Sequence, residues 1–260
     1  MTFTNKLNAT MRNHKTALCI GLDPDVDQLP AHLPRTLEGI LEFNQTIINA
    51  THDVVCAYKP NSAFYEAWGS AGWEALKATL GMIPKHIPII LDAKRGDIGS
   101  TAQAYARAAF DELNADAITL SPYLGTDALE PFLIRADRCC FVLCRTSNAG
   151  GNDLQNLALA DGTPLYLHVA RLAAKRWNAN GNCGLVVGAT YPHELAQVRH
   201  ECPDMPLLVP GVGAQGADYD ATLAIAGAKT IISVSRAILY ADSSRDFAQT
   251  ARTVAQRYSQ

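Results

Sequence analysis

Ile87-Pro88-Ile89-Ile90-Leu91-Asp92-Ala93-Lys94-Arg95-Gly96-Asp97 runs from apolar residues straight into interleaved charges of both signs. An apolar run without polar alternation reads as a strand covered on both faces, the habit of a parallel sheet flanked by helices. Working outward, similar runs occur at Ala17 to Leu22, Val54 to Tyr58, Ile87 to Leu91, Ala117 to Leu120, Cys140 to Cys144, Leu185 to Val187, Leu207 to Val209 and Thr230 to Val234. Helical spacing fills the intervals: Leu37 to Ala50, Ser62 to Leu80, Thr101 to Leu113, Asp127 to Arg135, Pro164 to Asn178, Pro192 to His200, Ala217 to Ala226 and Arg245 to Tyr258. Eight strand–helix units in 260 residues, with no Pro/Gly/Ser-rich linker between them, predict one α/β domain over residues 1–260, a single (β/α)8 TIM barrel. A doubly wound open sheet is the rival, because the same alternation supports it.

Composition narrows the function classes. With 48% hydrophobic and 18% charged residues the chain reads as globular. Its 22 Lys+Arg against 25 Asp+Glu, with no basic block, leave no footprint for a nucleic-acid polymer. No stretch approaches the roughly 18 apolar residues of a membrane span, and Met1 to Lys15 carries no apolar signal core, so a cytoplasmic protein is expected. The seven cysteines are odd in number, fall mostly in apolar runs and form no CxxC pair, which reads as core thiols in a reducing compartment. Seven histidines show no metal-ligand spacing, and His193 beside Glu194 reads as the first turn of a helix after Tyr191-Pro192, so no metal is expected.

In a barrel of this kind chemistry collects where strands end. Asp92 and Lys94 are two apart, so alternation sends both to one face, beside Lys59 in Tyr58-Lys59-Pro60-Asn61 of the preceding strand. Lone charges at such ends usually just meet water, but four of interleaved sign, Lys59, Asp92, Lys94 and Asp97, read as a site. Asp97 has a plainer reading as a helix cap, weakened because Ser100 with Gln103 already spells a capping box. As a loop residue it also has the reach to cross a subunit interface. Asp23 in Gly21-Leu22-Asp23-Pro24 is either a site residue or an Asx-turn residue before proline.

Gly211-Val212-Gly213-Ala214-Gln215-Gly216 matches GxGxxG between a strand and a helix, yet it lies late in the chain and no acidic residue ends the next strand to hold a ribose. Glycines after strand seven with Arg236 after strand eight match a barrel phosphate site instead, with backbone N–H groups and a helix N-terminus facing the anion. For Gln215 the plainer reading is a turn residue.

Together Asp92-Ala93-Lys94-Arg95-Gly96-Asp97-Ile98, Gly21-Leu22-Asp23-Pro24, Tyr58-Lys59-Pro60-Asn61, Ser121-Pro122-Tyr123-Leu124-Gly125, Thr146-Ser147-Asn148, Gly188-Ala189-Thr190-Tyr191-Pro192, Gly211 to Gly216 and Ser233 to Arg236 resemble the orotidine 5′-monophosphate decarboxylases, in the subfamily marked by the DAKRGDI stretch. The resemblance covers nearly the whole chain. It implies a cofactor-free, metal-free decarboxylation of orotidine 5′-monophosphate to UMP, the last step of pyrimidine synthesis, in a homodimeric barrel. It further implies a charged network of Lys59, Asp92 and Lys94 with Asp97 from the other subunit, Ile98 and Thr101 alongside, Asp23 on the ribose, Ser147 on the pyrimidine, and Gln215 and Arg236 on the phosphate. Three alternatives stay open: a Mg²⁺-dependent phosphosugar barrel such as a 3-keto-gulonate-phosphate decarboxylase or hexulose-phosphate synthase, a non-catalytic UMP-binding module, and, last, a dehydrogenase.

Overall fold

The computed structural model describes residues 1–213 and 216–258. In chain order the elements are α1 (Phe3–His14), β1 (Leu18–Leu22), α2 (Leu37–Thr51), β2 (Ala57–Pro60), α3 (Ala63–Glu66), α4 (Gly69–Met82), β3 (Ile90–Arg95), α5 (Gly99–Arg107) and β4 (Ala117–Leu120). They continue as α6 (Thr126–Leu133), β5 (Cys139–Arg145), α7 (Leu165–Leu172), β6 (Cys183–Val187), α8 (Pro192–Glu201), β7 (Leu207–Pro210), α9 (Tyr219–Ala226), β8 (Thr230–Val234), α10 (Arg236–Leu239) and α11 (Phe247–Gln256). Eight parallel strands alternating with helices are the (β/α)8 TIM-barrel fold expected from the apolar runs. The chain groups into two compact units, one of Met1, Phe3–Ala93 and Ser233–Gln260, the other of Thr2 and Lys94–Ile232. β3 and β8 each pass from one unit into the other.

Within the first unit β1 pairs in parallel with β2, setting Cys19 opposite Ala57 and Gly21 opposite Lys59. Bridges Tyr58–Ile89 and Asn61–Asp92 join β2 to the β3 side. Every residue of β1 and β2 is buried, which is why β1 reads as an unbroken apolar run and why Lys59 is the one charge sealed into β2. α2 begins at an N-cap, Thr36, whose hydroxyl accepts the Gly39 N–H, and turns Ile40, Phe43, Ile47 and Ile48 inward at helical spacing. Phe43 stacks on Phe247 of α11, ring centroids 5.3 Å apart. Burial of each such side chain contributes about 1.5–3 kcal/mol. The polar insertion in this core is tied in through its donors: Asn44 Nδ2 donates to the Tyr65 hydroxyl and to Thr79 Oγ1, while its Oδ1 is buried without a partner.

Within the second unit β4, β5, β6 and β7 are neighbours in that order, Ala117 lying opposite Cys139 and Leu185 opposite Leu207. The β5–β6 register slips between Leu143 and Arg145, a bulge that re-aims the end of β5. All seven cysteines are buried free thiols, as their apolar settings imply. Among the described residues no helix is long and apolar enough to cross a membrane.

Several boundaries differ from the sequence reading. β2 starts at Ala57 and not Val54, and β3 runs Ile90–Arg95 and not Ile87 to Leu91, because burial extends into the lead-in segments. The helix expected over Ser62 to Leu80 is two helices, broken at Gly69, where φ is +64°. The helices expected over Thr101 to Leu113 and Pro164 to Asn178 each end in a π-helical turn, Ala108–Glu112 and Ala173–Trp177. α1 is additional: its polar composition hid a buried stripe of Phe3, Leu7 and Thr10. α10 is also additional. His193 does lie in the first turn of α8, behind Pro192.

Candidate active site

In the first unit Lys59 Nζ donates to Asp92 Oδ2 at 2.9 Å, with 6% and 8% of the two residues exposed. Neighbouring strand ends make this pair: β2 presents Lys59, and the Asn61–Asp92 bridge, with the Ser62 N–H donating to the Asp92 carbonyl, sets the β3 residue beside it. Burial by itself disfavours the ammonium, but the carboxylates of Asp92 and Asp23 outweigh it and hold the Lys59 pKa above its ordinary value. The Cys19 thiol on β1 is pushed up to about 12 by burial, partly countered by Lys59, so it is inert here.

Asp23 follows β1. Its Oδ1 is enclosed and has no hydrogen-bond partner, so the Asx-turn alternative fails; the turn carboxylate is Asp25, which accepts the Asp27 N–H. An enclosed carboxylate oxygen without a donor is costly unless something from outside supplies one. Gly21 permits this crowding, since a Cβ there would lie 2.8 Å from Ser235 Cβ and 2.9 Å from Asp23 Oδ2. Arg236 opens α10 immediately after β8; it is exposed and, among the described residues, has no acidic partner.

In the second unit Lys94 is exposed and has φ +46°. That conformation ends the simple alternation that put Asp92 and Lys94 on one face; their common direction does not follow from strand geometry. Left-handed backbone costs a non-glycine residue about 1–2 kcal/mol, and such strain clusters at functional sites. Asp97 is half-buried, and its carboxylate accepts the N–H of the next residue, Ile98. The expected capping box is absent: Ser100 lies inside α5, whose N-cap is Ile98 with no side-chain cap. Ile98 is 57% exposed and Thr101 is exposed, so these two form an outward edge at the start of α5, next to the half-buried Asp97.

Ser147 sits on a clamped loop. The Gly188 N–H donates to the Arg145 carbonyl, Thr190 Oγ1 to the Ser147 carbonyl, and a Cβ on Gly188 would lie 2.8 Å from Ser147 N, Cα and Cβ. Arg145, fully buried, donates to Gln155 Oε1, the Thr146 carbonyl and Asn152 Oδ1, and its guanidinium lies 3.7 Å from the centre of the Tyr191 ring. Arg145 and Gln155 were missed as site-building residues; the available signal was a guanidinium at the very end of the apolar run Leu143-Cys144. Gln155, inside an irregular segment, carried no signal.

Of the GxGxxG loop, Ala214 and Gln215 lie outside the described residues. Gly211, Gly213 and Gly216 all have positive φ, which explains the glycines. Of the two helices that follow, α9 is capped by Asp218, whose carboxylate accepts the Ala221 N–H, whereas α10, which opens with Arg236 after β8, carries no side-chain cap. Among the described residues no group of three His, Cys, Asp or Glu is arranged to hold a metal ion.

Parallel strands that carry a buried ion pair, an unsatisfied carboxylate and an unpaired arginine at their carboxyl ends define an enzyme of the (β/α)8 class. The chain belongs to the orotidine 5′-phosphate decarboxylase / HUMPS family, whose model matches residues 16–251. It is 64% identical over 256 residues to an orotidine 5′-phosphate decarboxylase of Herpetosiphon aurantiacus, covering 98% of this chain and 96% of that one. Leishmania donovani OMP decarboxylase superposes with a TM-score of 0.87 at 43% identity, over 99% of both chains. Leishmania donovani UMP synthase gives a TM-score of 0.89 at 44% identity, over 99% of this chain but 56% of its own length. The chain is thus an enzyme of the carboxy-lyase class.

Proposed function

We propose that this chain decarboxylates orotidine 5′-monophosphate to UMP, the closing step of pyrimidine synthesis, in the cytoplasm and without metal or organic cofactor. The observation that carries the reading is the buried Lys59–Asp92 pair leading, two residues on, to the strained Lys94. Breaking the bond from C6 to the carboxylate carbon releases CO₂ and leaves the electron pair on C6, in the plane of the ring. Lys94 supplies the positive charge that steadies this carbanion and then the proton that makes UMP; water restores the ammonium. Lys59 holds the Asp92 carboxylate in place through its 2.9 Å hydrogen bond. A carboxylate so held repels the substrate carboxylate by about 4 kcal/mol at 4 Å and an effective dielectric near 20, up to roughly three decades of rate.

Asp97 completes the charged set from the partner subunit of a homodimer, with Ile98 and Thr101 beside it; the exposure of Ile98 and Thr101 at the start of α5 suits residues that serve another copy. Asp23, with its donorless Oδ1, takes a ribose hydroxyl. Ser147 reads the pyrimidine, while Gln215 and Arg236 hold the phosphate, whose binding energy is used to close the site on the base.

The test is loss of the orotate absorbance band from orotidine 5′-monophosphate, with and without EDTA. Chelator-insensitive loss with UMP formed is expected; no turnover, with Mg²⁺-dependent turnover of a phosphosugar instead, overturns the reading. Lys94→Ala should abolish decarboxylation, by more than about 10³-fold, while the protein still folds. Mixing inactive Lys94→Ala and Asp97→Ala subunits should restore turnover, because one hybrid site receives both intact residues; no recovery after proven subunit exchange argues against sharing.

A further inference from the structure

Four non-glycine residues have positive φ among the described residues: Lys15, Lys94, Asn114 and Lys229. Lys15, Asn114 and Lys229 sit in the connections just ahead of β1, β4 and β8, where left-handed residues are common. Lys94 alone lies inside a strand. Something must hold it there, because an extended conformation is open to any lysine in a strand.

The holding group is on β4. Thr119 is 1% exposed, the one polar residue among Ala117, Ile118, Thr119 and Leu120, and its Oγ1 accepts the Lys94 N–H at 3.0 Å. The Lys94 amide thus meets a buried side-chain hydroxyl of the neighbouring strand. One residue further the Ser121 N–H donates to the Arg95 carbonyl at 2.8 Å. Lys94 is bracketed between a side-chain anchor and a main-chain anchor, both from β4 and its continuation.

We propose that Thr119 is a positioning residue for decarboxylation: its hydroxyl holds Lys94 in the left-handed conformation that aims the ammonium at the reacting carbon. The inference rests on the proposed role of Lys94, and Thr119 itself touches no reacting atom. Valine has nearly the shape of threonine without the acceptor, so Thr119→Val frees the Lys94 amide and lets the backbone relax toward an extended φ. A misplacement of about 1 Å at a reacting group costs on the order of 10²-fold in rate.

The experiment compares Thr119→Val with Thr119→Ser, which keeps the hydroxyl. In Thr119→Val, kcat should fall by about 10–100-fold with KM within about twofold, and the Lys94 amide should exchange with solvent at least about tenfold faster. Thr119→Ser should restore both to within about threefold of the parent. If Thr119→Val does not fold, Thr119→Cys, of similar volume and weak as an acceptor, is read on the same two measures. Unchanged kcat in the variant lacking the hydroxyl, equal losses in both variants, or unaltered exchange at Lys94 overturns the proposal. Failure of the parent to turn over orotidine 5′-monophosphate sinks the functional reading instead, and amide exchange still decides whether the hydroxyl holds Lys94.

Discussion

Lys59 and Arg145 are both cations almost sealed from water, at 6% and 0% exposure, yet they are neutralised in different ways. Lys59 lies against the carboxylate of Asp92 and within the field of Asp23. Arg145 meets two amide side-chain oxygens, a main-chain carbonyl and the face of Tyr191, and its Nε is buried without a partner. The contrast follows from their chemistry. A compact ammonium is a point charge that needs an opposite charge close by, and the pair makes a fixed field at a strand end. A planar guanidinium spreads its charge over a fork of donors and can fasten several loop atoms at once. One region of the molecule uses burial to set a field, the other to hold the backbone that carries Ser147.

The sharpest way to break this comparison is Asp92→Ala, which leaves Lys59 buried without its principal carboxylate. Destabilisation of about 3–5 kcal/mol is expected, read by denaturant unfolding. Adding Lys59→Met to Asp92→Ala should recover part of that loss, since the buried ammonium is gone while the Asp23 carboxylate loses its countercharge. A small loss in Asp92→Ala itself would mean that the field of Asp23 alone suffices to neutralise Lys59. The pH dependence has a definite sign: a raised folded-state pKa stabilises below the unfolded value of about 10.4 and is lost only as pH rises through the higher folded value. The stability difference between the parent and Lys59→Met should therefore stay level between about pH 6 and pH 9.

Arg145→Met should cost about 2–3 kcal/mol, because Gln155 and Asn152 lose charge-assisted donors and Tyr191 its cationic neighbour. It should also open the 146–157 segment to protease, a sign that Asp92→Ala lacks. If the segment stays resistant, the clamp is made by Gly188 and Thr190 and not by the guanidinium. Gln155→Ala should cost less, about 1–2 kcal/mol, for the Thr146 N–H and the Arg145 fork left short of an acceptor.

The smallest effect belongs to an exposed pair that does neither job. Asp53 is held down to about 2 chiefly by its hydrogen bond from Arg252 of α11. A depressed carboxylate stabilises above its unfolded pKa, and that contribution is lost as pH falls from about 4 toward 2. Half-exposed, the pair contributes under about 1 kcal/mol. Asp53→Asn should shift the melting temperature by no more than about 2–4 °C at neutral pH, and by less in high salt. A larger shift would mean that Arg252 matters to the docking of α11.

Much of this was open to reading along the chain. Ala117–Leu120 and Thr230–Val234 are strands with the expected boundaries, because turn-forming and polar residues bound a short apolar run on both sides. β2 and β3 were displaced because Val54, Val55 and Ile87 are as buried as the strand residues after them, and burial alone does not mark where pairing starts. Lys59 and Asp92 could be brought together from strand order and spacing. The direction of Lys94 could not, since nothing in Asp92-Ala93-Lys94 signals a left-handed lysine.

By itself the sequence determined the alternation of strands and helices, the buried thiols and the charges gathered at strand ends, because periodicity and residue type act locally and repeat unit by unit. Tertiary structure alone decided which charge is paired, which carboxylate oxygen lacks a donor, and which threonine holds Lys94. Each of those depends on two segments far apart in the chain meeting within about 3 Å, the range at which a hydrogen bond exists at all.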